Sequence, residues 1–140
     1  MQSKEIDQLR KEIEQILHDN KAMEVKRDVT IDTLETMGIE WDLLYLGRVP
    51  QTKPEEEVVS GVVKPNFSYC TYGYVLSKSG IEKIRKYNVH KAIIPADEFL
   101  SATYVKHPRS DVSFKYPPTL KAYAVDPHIC LLYTSPSPRD

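Results

Sequence analysis

Two adjacent acids, Asp97 and Glu98, are the residues of this chain best suited to chemistry. They follow Pro95-Ala96 and precede the apolar pair Phe99-Leu100. Proline suits the entry of a helix, so both carboxylates are predicted in a helix's first turn. Acids there offset the helix dipole and accept from free backbone N–H groups. A carboxylate so placed can also act as a general base, taking the proton of a hydroxyl as its oxygen attacks an electrophile. On the residues alone the capping and catalytic readings carry equal weight.

Arg48 is the next candidate. It follows Trp41-Asp42-Leu43-Leu44-Tyr45-Leu46-Gly47, whose short apolar run suits a strand buried on both faces, as in a parallel sheet. Asp42, at the strand's start, reads as a solvated or capping residue. Arg48 falls just past the strand's carboxyl end, where ligands of open α/β sheets bind, and its guanidinium fork could neutralise a phosphate; a plain surface arginine is the reading weighted above that one. A third stretch, Tyr69–Ser77, alternates in the manner of a strand, and Gly73 within it marks a bulge or a close approach. Cys70 has no basic neighbour in sequence to make it a nucleophile. His107 reads as a structural hydrogen-bonding residue. The four histidines are scattered and the two cysteines isolated, a pattern that favours neither a zinc site nor a disulfide framework.

The elements that must hold these residues alternate between helix and strand. Ile6, Leu9, Ile13 and Ile16 follow a 3-4-3 spacing continued by Asn20 and Met23, which predicts a helix over 3–23. Its seam is expected to pack on the chain's own domain. A short coiled coil with Asn20 in the core is the alternative. A second helix is predicted over about 25–37, stopped by Gly38. Strand 43–46 follows. Segment 47–66, with three prolines and the run Glu55-Glu56-Glu57, reads as a solvated excursion holding a small β element at Val58-Val59 and Val62-Val63. Strand 69–76 leads through Ser77, a good N-cap, into helix 78–87. A helix from 97 to 105, a proline-rich loop and a last strand over 120–125 complete an α/β fold.

Taken in order, Trp41–Arg48, Tyr69–Ser77 and Pro95–Leu100 resemble glycosyltransferase family 25, known from collagen and lipooligosaccharide galactosyltransferases. Pro95-Ala96-Asp97-Glu98-Phe99-Leu100 is similar to the family's Pro-Val-Asp-Glu-Phe-Leu, and Lys106-His107-Pro108 continues the likeness. The resemblance spans about 25–129 and implies part of a nucleotide-sugar-binding, GT-A-like Rossmann-type fold, truncated at both ends. Residues 1–24 carry none of the family's motifs. The implied reaction is inverting transfer of a sugar, UDP-galactose being the implied donor. The implied acceptor is a hydroxyl on a protein (such as a collagen-like hydroxylysine) or a glycan. Asp97 is the first choice as base and Glu98 the second. Arg48, Thr71, Tyr72, Gly73 and Tyr74 are implied to line the donor–acceptor cleft. Cys70 stands where the animal enzymes commonly have a bulky aromatic residue.

The family's Asp-x-Asp-type motif, which holds a divalent cation (Mn²⁺ or Mg²⁺) on the donor diphosphate, does not occur before Trp41. The chain by itself is therefore expected to be inactive, and no metal ligand is assigned within it. The resemblance implies the lumen of the endoplasmic reticulum or Golgi for a eukaryotic protein and the cytoplasm for a bacterial one. A non-catalytic interaction module with a short coiled-coil helix is the alternative function.

Bulk properties narrow the choice. The chain has 140 residues, enough for one small domain. A net charge of −1 provides no general attraction to nucleic acid or anionic lipid. No apolar run approaches the roughly 20 residues that cross a bilayer. The last eleven residues, Cys130 to Asp140, resemble a translated sequencing adapter and are expected to play no part in the fold.

Overall fold

The computed structural model describes residues 3–87, apart from the Tyr72 side chain, and 94–127. The expectations for His128, Cys130 and the tail 130–140 lie outside the described residues. In chain order the elements are α1 (Ser3–Thr36), β1 (Leu43–Pro50), β2 (Glu57–Val59), β3 (Val62–Val63) and β4 (Ser68–Leu76), then α2 (Lys78–Arg85), α3 (Ala96–Ala102), α4 (Ser110–Lys115) and β5 (Ala122–Val125).

The described strands form one sheet of five in the order β2-β3-β5-β1-β4. The class is α/β as expected, but the sheet is mixed. β1 runs parallel to β5 and antiparallel to β4, and β3 runs antiparallel to both β2 and β5. The physical reason lies in segment 51–67, which reverses the chain by way of the β2–β3 hairpin. β4 therefore returns beside β1 without a helical crossover.

β1 sits at the centre because its residues are apolar on both faces. Leu43 and Tyr45 enter one core with Leu100, Ala102, Val112, Tyr116 and Leu120, on the side of α2, α3 and α4. Leu44 and Leu46 enter a second with Leu34 of α1, Val62 and Val125. Helices thus cover both faces of a strand whose four residues from Leu43 to Leu46 are all buried.

Where two helices were expected over 3–37, there is one. No glycine or proline interrupts residues 3–36, and Gln8–Glu12 and Gln15–Asp19 hydrogen bonds at i, i+4 support the exposed face. Gly38 ends it with φ +72°: its N–H donates to Glu35 O and that of Ile39 to Leu34 O, a Schellman closure. The expectation that the seam packs on the chain's own domain is corrected. Ile6, Leu9, Ile13 and Ile16 are 39–57% exposed, and Thr30 and Leu34 are α1's buried residues. α1 docks by its last two turns, since its 34 residues far outrun the eight-residue β1 beneath it.

α2 approaches the start of β1 unusually closely. A Cβ on Gly80 would lie 2.2 Å from the carbonyl oxygen of Asp42. Asp42 itself is buried, which corrects its reading as a solvated position. Its carboxylate accepts from Ser79 Oγ at 2.7 Å, Lys83 Nζ at 2.7 Å and Lys121 N at 2.8 Å, tying α2 and the entry of β5 to β1. Burial pushes the Asp42 carboxyl up. The bonds from Lys83, Lys121 and Ser79 outweigh it and leave the group below its ordinary value.

Candidate functional site

Asp97 and Glu98 do stand in the first turn of α3, behind Pro95. Their partners differ. Asp97 Oδ1 accepts from the Glu98 N–H at 2.9 Å, and Oδ2 from the Cys70 N–H at 3.3 Å. Both oxygens of Asp97 are thus engaged by backbone, one of them on β4. Glu98 Oε1 lies 3.0 Å from His107 Nε2, and Oε2 makes no hydrogen bond among the described residues.

His107 fixes this arrangement. Its Nδ1 accepts from the Arg109 N–H at 3.0 Å, which puts the ring proton on Nε2 and aims it at Glu98. The imidazole is 4% exposed and meets the Phe67 ring edge-on at 5.6 Å, whereas Glu98 is 37% exposed. A buried imidazole therefore holds one oxygen of a carboxylate whose side chain is half-exposed. His107 was legible as a hydrogen-bonding residue; its partner was not, because nine residues and a turn of chain separate the two.

α3 is fastened to β4 by Ser101, a residue that sequence reasoning missed. Its hydroxyl accepts from Ser68 N at 2.9 Å and donates to Ser68 O at 2.9 Å, and both residues are fully buried. Tyr104 adds bonds from its hydroxyl to Asn66 O at 2.9 Å and Ser68 Oγ at 3.0 Å. A serine in a short helix carries no sequence signal for such a role.

Among the described residues β4 is an edge strand, and its pairing is irregular. Gly47 faces Gly73 in register, with shifts on either side of that pair, so the bulge expected at Gly73 is present. Cys70, at φ +49°, turns the strand as its N–H meets Asp97. The simple two-face alternation over 69–76 is therefore broken. Of the residues implied to line a cleft, Thr71 and Gly73 are half-buried on β4 and Tyr74 is exposed opposite Tyr45. The Tyr72 side chain lies outside what is described.

Arg48 is not brought to this site, and its reading as a ligand-facing residue is corrected. It lies inside β1 rather than beyond it. Its guanidinium is clamped by Glu55 at 2.6 and 2.7 Å and reaches Ser68 Oγ at 3.2 Å. The two side chains are 5% and 3% exposed. Glu55, read as part of a solvated acidic run, is the buried counter-charge, and it also accepts from Asn66 N at 2.7 Å. An arginine in the middle of a core strand needs a partner, and the neighbouring excursion supplies one.

The arrangement can remove a proton at Glu98. It does not provide a metal centre: among the described residues no three His, Cys, Asp or Glu side chains converge to hold a metal ion. Nor is any described helix long and apolar enough to cross a membrane.

Comparison with known proteins agrees with the motifs. Procollagen galactosyltransferase 1-A of Xenopus laevis is 35% identical over 139 residues, covering 93% of this chain and 22% of that protein. Procollagen galactosyltransferase 2 of Homo sapiens is 34% identical over 102 residues, covering 69% of this chain and 16% of that protein. A protein of Rattus norvegicus named probable inactive glycosyltransferase 25 family member 3 is 36% identical over 97 residues, covering 66% of this chain and 17% of its own length. No protein-family model matches, and neither does any solved structure. The class these similarities define is the glycosyltransferase 25 family, which includes a relative named as probably inactive. This chain belongs to glycosyltransferase family 25, and it spans about a fifth of the length of the relatives it matches over most of its residues. The 93% match leaves only about ten residues outside it, so it takes in at least half of residues 1–24.

Proposed function

We propose that this chain is part of an inverting glycosyltransferase with a nucleotide-sugar-binding, GT-A-like Rossmann-type fold. It would move galactose from a nucleotide-sugar donor, UDP-galactose, to a hydroxyl of a protein or glycan. Glu98 is the favoured base, through its unengaged oxygen. That oxygen takes the acceptor hydroxyl's proton as the acceptor oxygen bonds to the anomeric carbon. The bond from that carbon to the diphosphate breaks on the opposite face, inverting the configuration. Asp97 holds the start of α3 against β4, and Thr71, Gly73 and Tyr74 on the adjoining strand would meet the acceptor. Among the described residues no three His, Cys, Asp or Glu side chains converge to hold the cation expected for such a reaction.

The observation that carries the reading is the buried His107 gripping one oxygen of a half-exposed Glu98 in a chain of this family. The test is to graft residues 3–127 in place of the matching segment of Xenopus laevis procollagen galactosyltransferase 1-A and assay galactose transfer. Glu98→Gln in the graft is expected to cost about 10²–10⁴ in turnover, the usual contribution of a general base. Full transfer by the Asp97→Asn, Glu98→Gln graft overturns the proposal. The 140-residue chain alone is expected to turn over no donor.

The exposed α1 seam favours a second reading, an interaction module. Sedimentation of the chain separates the two. A concentration-dependent dimer that Ile13→Asp or Asn20→Lys abolishes supports it, and a monomer at all concentrations removes it.

A further inference from the structure

We propose that Asn66 is an attachment site for an N-linked glycan, added as the chain is made into a secretory lumen. The site shares no residue with the α3 acid pair. It rests on the lumenal setting that the family resemblance implies for a eukaryotic protein, and not on the transferase chemistry.

Asn66-Phe67-Ser68 is an asparagine with a serine two residues on and no proline between, the acceptor pattern for this modification. The chain's other asparagines, Asn20 and Asn88, are followed at that distance by Ala22 and His90, so neither has the hydroxyl the pattern requires. A three-residue pattern often arises by chance. The surroundings of Asn66 separate this one from such a match.

The main chain of Asn66 makes its bonds to the core. Its N–H donates to the buried Glu55 carboxylate at 2.7 Å, and its C=O accepts from Ser68 Oγ at 2.8 Å and from the Tyr104 hydroxyl at 2.9 Å. Any residue with a backbone N–H could make those three bonds. The side-chain amide bonds instead to Thr52, an exposed residue: Nδ2 donates to Thr52 Oγ1 at 2.9 Å and to Thr52 O at 3.5 Å. None of the core bonds therefore requires an asparagine, whereas the acceptor pattern does.

Glycosylation keeps the better of the two amide bonds. Nδ2 carries two protons. It loses one as it bonds to the anomeric carbon of an oligosaccharide carried on a lipid diphosphate, and the bond from that carbon to the diphosphate oxygen breaks. The remaining N–H can stay on Thr52 Oγ1. The bond given up is the one at 3.5 Å, which is at the limit of hydrogen-bond length.

There is also room for the sugar. Thr52 and Lys53, on the amide's side, are exposed, and Asn66 lines an open cleft of about 820 Å³ whose wall includes Lys64, Tyr104 and Tyr123. Ser68 is fully buried, so its hydroxyl is accessible to an attaching enzyme only before the chain folds. The glycan is then added during synthesis and carried by the fold afterwards.

The test is translation of the 140-residue chain behind a cleavable secretory signal, in the presence of endoplasmic-reticulum microsomes. The signal supplies the location, so a failure is a failure of the site and leaves the transferase reading untouched. One step of reduced mobility is expected, reversed by peptide-N-glycosidase F, which leaves aspartate at position 66 for mass spectrometry. Asn66→Gln and Ser68→Ala should abolish the step, and Ser68→Thr should keep it. This readout precedes folding, so the buried place of Ser68 does not obscure it. Absence of the step, or a step that survives Asn66→Gln, overturns the proposal. The glycosylated chain secreted by animal cells should melt within about 3 °C of the same sample after enzymatic deglycosylation. A larger fall on the glycosylated side overturns the claim that this fold carries the glycan.

Discussion

Replacing Glu55 with glutamine isolates the energetic role of the Arg48–Glu55 pair. The change preserves side-chain size and removes one charge. Arg48 is then left at 5% exposure with no counter-ion. Its two short bonds to Glu55, at 2.6 and 2.7 Å, become contacts with a neutral amide, and its bond to Ser68 Oγ at 3.2 Å remains. Asn66 N loses a charged acceptor at the same time. Breaking one side of a buried pair costs about 3–5 kcal/mol, against a total stability of about 5–15 kcal/mol for a domain. In a chain of this size that is a fall in melting temperature of roughly 10–20 °C. Thermal and urea melts of the chain measure it. The companion variant, Arg48→Met with Glu55→Leu, removes both charges and should recover most of the loss, since an apolar pair of similar volume is often neutral. A Glu55→Gln melt within about 3 °C of the parent, or a double variant no better than the single one, would refute the claim that an unpaired buried cation is what costs.

Three further outcomes are expected. Gly80→Ala forces a Cβ onto the Asp42 carbonyl and should destabilise the chain by about 1–3 kcal/mol or more, read from the urea midpoint. Ser101→Ala leaves the buried Ser68 N–H without an acceptor and should cost about 1–3 kcal/mol by the same measurement. The depressed Asp42 carboxyl gives the folded state an acid-sensitive contribution. It is fully present above the ordinary carboxylate range of about pH 4 and lost as pH falls through the lower folded value. Urea melts between pH 6 and 3 should therefore weaken less steeply for Asp42→Asn than for the parent. Equal slopes would place the acid sensitivity elsewhere.

Local signals were readable where one element decides the outcome. The apolar run Leu43–Leu46 gave a central strand, Ser77 gave the cap of α2 by accepting from Gly80 N, and Pro95 gave the start of α3. Gly73 marked the irregularity in β4. What could not be read depended on the partner across the fold. Arg48 looked available because nothing in sequence says that Glu55 folds back over it. Asp42 looked solvated because its three donors are 37, 41 and 79 residues away. The direction of β4 depended on how segment 51–67 turned, which its prolines did not decide. At the candidate site the acid pair was legible, and the difference between the two acids was not. That difference comes from Cys70 and His107, one on a bulged strand and the other beyond the helix.

Ser101 joins α3 to β4 by giving and receiving at the same residue. One hydroxyl thus works as a rivet, set about one turn from Glu98. Side slip between strand and helix would have to break both bonds together. A load on β4 therefore passes directly into α3, and the Glu98 carboxylate travels with the strand.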